Sequence, residues 1–367
     1  MLNPTPHSGG PARSLPWLAP TLERARAAAE RGHALLLHGA AGDGVFECAE
    51  LIAHAWLCEA SDPSARPCGQ CASCHLLQGG AHPDLHRLLP ETLREQLGVQ
   101  GQGGDGGEVE PGGKARRKPS RQIRIEEVRA AIDWIVTTSS RGGAKIVLIH
   151  PAEAMNLQSA SALLKTLEEP PAGARLLLTT EDPARLLPTV RSRCQVLRLE
   201  PPRAGQARAW LLEQGMAEPD VLLAASSGRP LEALTMSAAG VDARRWSALP
   251  AAVLARQAQA FAGLALPAVI SALQKLCHDG LALAAGAPPR FFPDASLQRP
   301  AAPEVVARWS RDLARLARHA EHAWNDALAL DALLARAAAA WAGDESGIRA
   351  GKCTESGPQA GPAADTL

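Results

Sequence analysis

The tightest constraint on this chain is a short apolar run that opens onto a glycine loop. Ala34-Leu-Leu-Leu-His38 reads as a buried strand, and Gly39-Ala-Ala-Gly42-Asp-Gly44-Val45-Phe46 follows at the spacing of a phosphate-binding Walker A loop. Glycines at 39, 42 and 44 give the backbone the freedom to curl around phosphate. The chemistry of such a loop is absent. Val45 stands where Lys would meet the β- and γ-phosphates, and Phe46 where a Ser or Thr hydroxyl would hold Mg²⁺. What is left is a frame for nucleotide binding without the groups that do it.

The rest of the chain supplies enough material to build around that frame. Its 367 residues suggest two or three domains with a sizeable core. Thirty-eight basic residues balance 38 acidic ones, so no global electrostatic footprint for nucleic acid exists, and any DNA contact is local or made by partners. A 46% hydrophobic content with only 3% aromatics is rich in Ala and Leu, which favours helices. No apolar run approaches the ~20 residues needed to span a bilayer, and Met1-Leu-Asn-Pro-Thr-Pro-His lacks the basic-then-apolar order of a secretory signal. A cytoplasmic protein is expected.

Along the chain, an opening helix is expected over 14–30 and an apolar helix over Glu47–Leu57. Strands are expected near His82–Leu89, Ala144–Ile149, Arg175–Thr180 and Gln195–Leu199. Ile123 to Val128 reads as a strand edge running into a helix that ends near Thr137. Leu157, Ala160, Leu163, Leu164 and Leu167 mark the apolar face of another helix, closed by Pro170-Pro171. Strands alternating with helices argue for a parallel sheet covered on both faces. Residues 98–120, Gly-rich with a basic end, read as a flexible insertion. Beyond Pro201-Pro202 the strands stop: 202–243 reads as a small helical unit, 244–342 as a longer one, and 343–367 as a disordered tail.

Eight cysteines are present, four of them clustered as Cys58-x9-Cys68-x2-Cys71-x2-Cys74. Four thiolates at this spacing can surround one tetrahedral Zn²⁺ with no open position, which makes a structural site that holds a loop too poor in apolar surface to fold alone. Redox-active cysteines and an iron–sulfur cluster are the rival readings. His75 is a neighbouring donor, but the four cysteines already fill the sphere.

Two further elements bear on nucleotide chemistry. A Walker B strand ends in an acid that holds Mg²⁺, whereas Lys145-Ile-Val-Leu-Ile149 runs into His150-Pro151, with Glu153 further on in a turn. This is a second loss, independent of the first. Arg191-Ser192-Arg193-Cys194 stands between a helix-like approach and the last strand. An Arg at such a junction can project toward a phosphate held by a neighbouring subunit; the reading that spacing alone favours is a surface Arg paired with carboxylates.

Several segments together resemble a family. These are the four cysteines, Gly80-Ala-His82-Pro-Asp84, Asn156 through Ala162-Leu-Leu-Lys165-Thr-Leu-Glu168-Glu-Pro170-Pro171, and Leu187-Pro-Thr-Val-Arg191-Ser-Arg193-Cys194. They resemble bacterial clamp-loader subunits of the AAA+ family, and the ruined Walker motifs resemble the delta-prime type of DNA polymerase III. The similarity covers about residues 15–240 well and the rest more weakly. It implies an AAA+ (RecA-like) α/β domain with a structural zinc module over 1–201, a helical lid over 202–243 and a helical collar that oligomerises over 244–342. It implies assembly with ATPase (gamma/tau) and delta subunits to load a sliding clamp on primed DNA. This chain would bind no ATP itself and would lend Arg193 in trans as an arginine finger. ATP-competent relatives carry a nucleotide-sensing Arg in a lid segment that here reads Gly228-Arg-Pro-Leu231-Glu-Ala-Leu234, with Leu231 at that position and Arg229 two residues earlier.

Two other functions are weighed against this one. An active gamma/tau-type ATPase subunit needs the Lys, the hydroxyl and the Walker B acid that are missing here. A zinc-stabilised DNA-binding module needs a concentrated basic face, which the balanced charge does not suggest.

Overall fold

The computed structural model describes residues 15–97, 99, 119–318 and 325–344. The 98–120 insertion and the 343–367 tail lie, apart from a few edge residues, outside the described residues. The chain divides into two compact units, residues 1–219 with 228–238, and residues 220–227 with 239 onward.

The first unit is built on five parallel strands, β1 (Ala34–His38), β2 (Leu85–Leu88), β3 (Lys145–Ile149), β4 (Ala174–Thr180) and β5 (Gln195–Arg198), in the order β2-β3-β4-β1-β5. Its helices are α1 (Ala19–Ala29), α2 (Val45–Leu57), α3 (Ala72–Gln78), α4 (Glu91–Leu97), α5 (Ile125–Ile135), α6 (Leu157–Glu168), α7 (Pro188–Arg191), α8 (Ala204–Glu213) and α10 (Pro230–Ala238); α9 (Pro219–Ala225) straddles the division between units. The expected parallel α/β sheet is present, and each expected strand forms within a few residues of its place.

Both faces of the sheet are covered, so its strands read as unbroken apolar runs rather than alternating ones. Leu36, Val147, Ile149, Leu176 and Leu178 pack with Val128, Ala131 and Ile135 of α5 and with Leu163 and Leu167 of α6. Helices α1 and α2 pack against the sheet strands as well. Arg87 on β2 makes two bonds to Glu50 on α2, at 2.7 and 2.8 Å, a fork that fixes the helix against the sheet edge. The helix α6 starts where Asn156 accepts the Ser159 N–H. Ile123 forms an isolated parallel bridge with Met155, the strand edge expected ahead of α5. One expected core position fails: Leu157 is 67% exposed, because it opens the first turn of α6 ahead of the stretch that meets the sheet.

Strands β1 and β4 lie side by side, and the chain leaves them in opposite directions, toward β2 and β5 respectively. In an open parallel sheet this places a crevice outside the carboxyl ends of those two strands. The glycine loop that follows β1 sits there.

The second unit is helical: α11 (Ala243–Leu254), α12 (Leu266–Ala284), α13 (Pro303–Ala317) and α14 (Asp326–Ala342), packed around Phe261, Leu273, Leu276, Trp309, Leu313 and Leu334. Gly280 lets α12 approach α14, since a Cβ there would stand 2.6 Å from the Trp341 ring. The fully buried Asp279 accepts the backbone N–H groups of Arg290, Phe291 and Phe292, each at 2.8 Å, and so fixes the loop after α12. The stretch read as one helical unit over 202–243 is shared: α8 and α10 belong to the first unit, 220–227 to the second. No helix among the described residues is long and apolar enough to cross a membrane.

Candidate functional site

The loop after β1 keeps its glycine geometry. Gly42 and Gly44 hold φ values of +85° and +98°, and Gly44 opens α2 from the left-handed region. Around this frame, the chain's own side chains pack against the loop. Val45 is buried, and a Cβ on Gly39 would already touch its Cγ2 at 3.1 Å. The N-terminus of α10 lies over the loop, with Leu231 N–H donating to the Gly42 carbonyl at 3.2 Å. A Cβ on Gly42 would stand 3.0 Å from Glu232 Cβ, and one on Gly44 would stand 3.0 Å from Leu15 and 3.6 Å from Leu231. Leu231, where the resemblance sets a sensing Arg, thus packs on the loop as an apolar plug.

Charge in the loop is also wrong for phosphate. Asp43 is buried, with its carbonyl accepting the Trp17 indole N–H at 2.7 Å and its Oδ1 without a hydrogen-bond partner. Burial pushes its carboxyl up to about 6, opposed by Arg229 and reinforced by Glu232. Arg229 is the one cation the sequence offered as a substitute for the missing groups. Its guanidinium pairs with Glu232 at 2.8 Å and reaches the Ala41 carbonyl at 3.4 Å. It therefore serves the loop's own groups.

The two residues at the Mg²⁺ positions meet each other. The Phe46 ring lies 4.7 Å from the imidazole of His150, which follows β3. Thr179 at the end of β4 donates its hydroxyl to the Ile149 carbonyl and accepts from His150 Nδ1 at 2.6 Å. Burial lowers the His150 pKa to about 4, against a weak pull from Glu50, so the ring is neutral. Glu153, the next acid along, lies in a 3₁₀ turn, where its Oε1 accepts the Glu181 N–H at 3.0 Å. It caps the end of β4 through that bond, and its Oε2 is buried without a hydrogen-bond partner.

The four clustered cysteines do converge. Cys58, Cys68, Cys71 and Cys74 place their Sγ atoms within 4.8 Å of one another, with Cys58–Cys71 at 3.9 Å and Cys68–Cys74 at 4.0 Å. Four thiolates about 2.3 Å from one tetrahedral ion stand about 3.8 Å apart. Backbone N–H groups of Glu59, Ala60, Cys68, Cys71 and Cys74 point at the sulfurs at 3.3–3.5 Å, the environment a thiolate needs. Such donors from Gln70 and Cys71 pull the Cys68 thiol down to about 6. The donor set fits a metal ion; His75, exposed on α3, stands outside it.

Behind the sulfurs runs a network that sequence reading did not assemble. Asp84 N–H donates to His82 Nδ1 at 3.1 Å, which leaves Nε2–H to donate to Ser73 Oγ at 3.1 Å. Ser73 donates to Glu59 Oε1 at 2.9 Å, and Arg141 binds both Ser73 and Glu59. The Asp84 carboxylate accepts from Ser139 Oγ and from the N–H groups of Ser140 and Arg141. His82 and Asp84 are each 1% exposed. The His-Pro-Asp segment in the sequence was the signal for this: it couples the cysteine loop to β2 and to the 139–141 turn.

Arg193 stands between α7 and β5, as the sequence placed it. Its Nε donates to Glu168 Oε1 at 2.8 Å, Nη2 pairs with the same oxygen, and Nη1 reaches the Thr189 carbonyl at 2.9 Å.

A family model described as "DNA polymerase III, delta subunit" matches residues 16–203, just over half of the chain. The chain belongs to that family. Among relatives of this delta-subunit family member, DNA polymerase III subunit delta' of Pseudomonas aeruginosa is 37% identical over 234 residues, 63% of each chain. The subunit of the same name from Escherichia coli K12 is 34% identical over 230 residues, 61% of each chain. DNA polymerase III subunit tau of Escherichia coli K12 is 31% identical over 162 residues, 44% of this chain and 20% of that one. The matched stretch thus spans less than two thirds of the delta' relatives' own length.

Proposed function

We propose that this chain is a non-hydrolysing delta-prime-type subunit of the DNA polymerase III clamp loader. In this reading it assembles with gamma/tau-type ATPase subunits and a delta subunit to place the sliding clamp on primed DNA. The observation that carries it is the loop after β1. Phe46 on His150, buried Val45 and the Leu231 plug fill the frame where Lys, hydroxyl and acid would bind MgATP. An AAA+ domain of this kind has no catalytic use for its own loop, so its contribution lies with its neighbours. Relatives named subunit delta' and subunit tau support the same assignment.

The roles divide as follows. The first 201 residues are the ATPase-like domain, 202–243 a lid and 244–342 the collar through which the subunits oligomerise. Zn²⁺ is the ion for Cys58, Cys68, Cys71 and Cys74, because four converging thiolates leave no open position and suit a borderline-soft ion held tetrahedrally in a structural site. When bound it supplies closure of the 58–82 loop and no reaction chemistry. Arg193 is offered in trans to the phosphates of a nucleotide held by the adjacent ATPase subunit, where it stabilises charge developing in phosphoryl transfer. The chain is not catalytic alone, contacts clamp and DNA through its partners, and works in the cytoplasm.

The experiment is clamp- and DNA-stimulated ATP turnover of the reconstituted loader with this chain wild type, Arg193→Ala, or omitted. Omission should abolish stimulation. Arg193→Ala should lower it at one site, by a factor up to about 10³–10⁵ there and less in the total. Normal turnover with Arg193→Ala would reduce the chain to an architectural part.

A further inference from the structure

We propose that Glu168 is the positioning residue for Arg193: it grips the inner edge of the guanidinium so that the outer edge faces a neighbour's nucleotide. The inference rests on the trans-acting role proposed above and adds a second residue to it.

A guanidinium has five N–H donors in a fixed plane. In Arg193 the Nε and Nη2 donors on one edge converge on a single Glu168 oxygen. Nη1 is steadied by the Thr189 carbonyl at 2.9 Å, with a longer contact to Ser192 Oγ at 3.4 Å. Glu168 thus takes the Nε/Nη2 edge and Thr189 one hydrogen of Nη1. One N–H on Nη2 and, beyond the long Ser192 contact, one on Nη1 are left for a further acceptor.

Both ends of the pair hang from fixed backbone. Glu168 ends α6, next to Leu167, whose side chain is buried and whose carbonyl is bonded to the His33 ring at 2.8 Å. Arg193 lies in a turn closed by Arg193 N–H to Val190 O at 3.2 Å, and Val190 is buried in the same apolar cluster as Leu167. The side chains themselves remain accessible, about one third exposed for Arg193 and one half for Glu168. An exposed ion pair of this kind contributes little to folding stability. Its value lies in removing rotamer freedom from a long side chain before the transition state is reached, the same economy that makes orientation effective in catalysis.

The test is turnover of the reconstituted loader with Glu168→Ala, Glu168→Gln, Arg193→Ala and the Glu168→Ala/Arg193→Ala double variant, across ATP concentration. Glu168→Ala should lower turnover at saturating ATP by about 10-fold at the site served, short of the Arg193→Ala loss. The half-saturating ATP concentration should not move. Glu168→Gln, which keeps one acceptor oxygen, should recover part of the loss. In the Arg193→Ala background, Glu168→Ala should change nothing further. Wild-type turnover in both Glu168 variants, with Arg193→Ala impaired, would overturn the positioning role alone. Raised turnover in Glu168→Ala would make Glu168 a restraint, and a loss that persists without Arg193 would place its effect elsewhere; either overturns the proposal. Unimpaired Arg193→Ala would remove the trans-acting role and this proposal with it.

Discussion

The ring of Phe46 rests against the imidazole of His150 at a 37° tilt, and this contact joins the two places where an ATP-using loop would hold its metal. Each residue is lost from its motif separately, yet the two losses fit each other. Restoring one motif therefore leaves the other in the way. A Val45→Lys/Phe46→Thr variant should still show no saturable MgATP binding below about millimolar, a binding free energy near −4 kcal/mol. Titration with a fluorescent ATP analogue reads this directly, and micromolar affinity would show that the Leu231 plug yields to nucleotide.

His150 also sets an acid sensitivity. Burial holds its folded pKa at about 4, below the ordinary 6.5. The unfolded chain therefore binds the proton first as pH falls. The contribution is whole above pH 6.5 and is lost between there and pH 4. From pH 7.5 to pH 5 it removes about 2 kcal/mol from wild type. Urea denaturation at the two pH values should show this extra loss in wild type and not in His150→Gln. Equal slopes for the two chains would mean that the imidazole is charged in the fold.

Cys71 belongs to the quartet proposed to hold the metal and is also the cap that accepts the Cys74 N–H at the start of α3. Cys71→Ser should reduce bound zinc from about one per chain to near zero after desalting. Limited proteolysis should then cut within 58–82 while the sheet stays intact. Metal content at the wild-type level in this variant would refute the ligand set.

In the helical unit, Asp279 and Gly280 are neighbours with opposite constraints. Asp279→Ala strands three backbone N–H groups and should cost about 2–4 kcal/mol. Gly280→Ala drives a methyl into Trp341 and should cost about 1–3 kcal/mol. Chemical denaturation measures both. A neutral Gly280→Ala would show that α12 and α14 can separate without loss.

What could be read in the sequence was what is local. The strands at 34–38, 145–149 and 174–180 announce themselves as apolar runs because both faces of the sheet are covered. The cysteine quartet announces itself by spacing. The short helices α3 and α4 gave no comparable signal, since seven residues carry barely two turns of periodicity. Leu157 was misplaced because a helix's first turn shares the period of the rest without sharing its burial. The site's remaining features lie in long-range pairs. Phe46 with His150, Glu168 with Arg193, and Arg141 with Glu59 and Ser73 are separated by 25 residues or more, and nothing in either partner's neighbourhood names the other.

The backbone bond from Leu231 to Gly42 closes the loop with groups the chain always carries. A ligand can shift a conformational equilibrium only by binding one state better than the other. In the role proposed above, a domain that nucleotide does not engage keeps one shape whatever the cell's ratio of ATP to ADP, and partner subunits would measure their own movements against a member that is blind to energy charge.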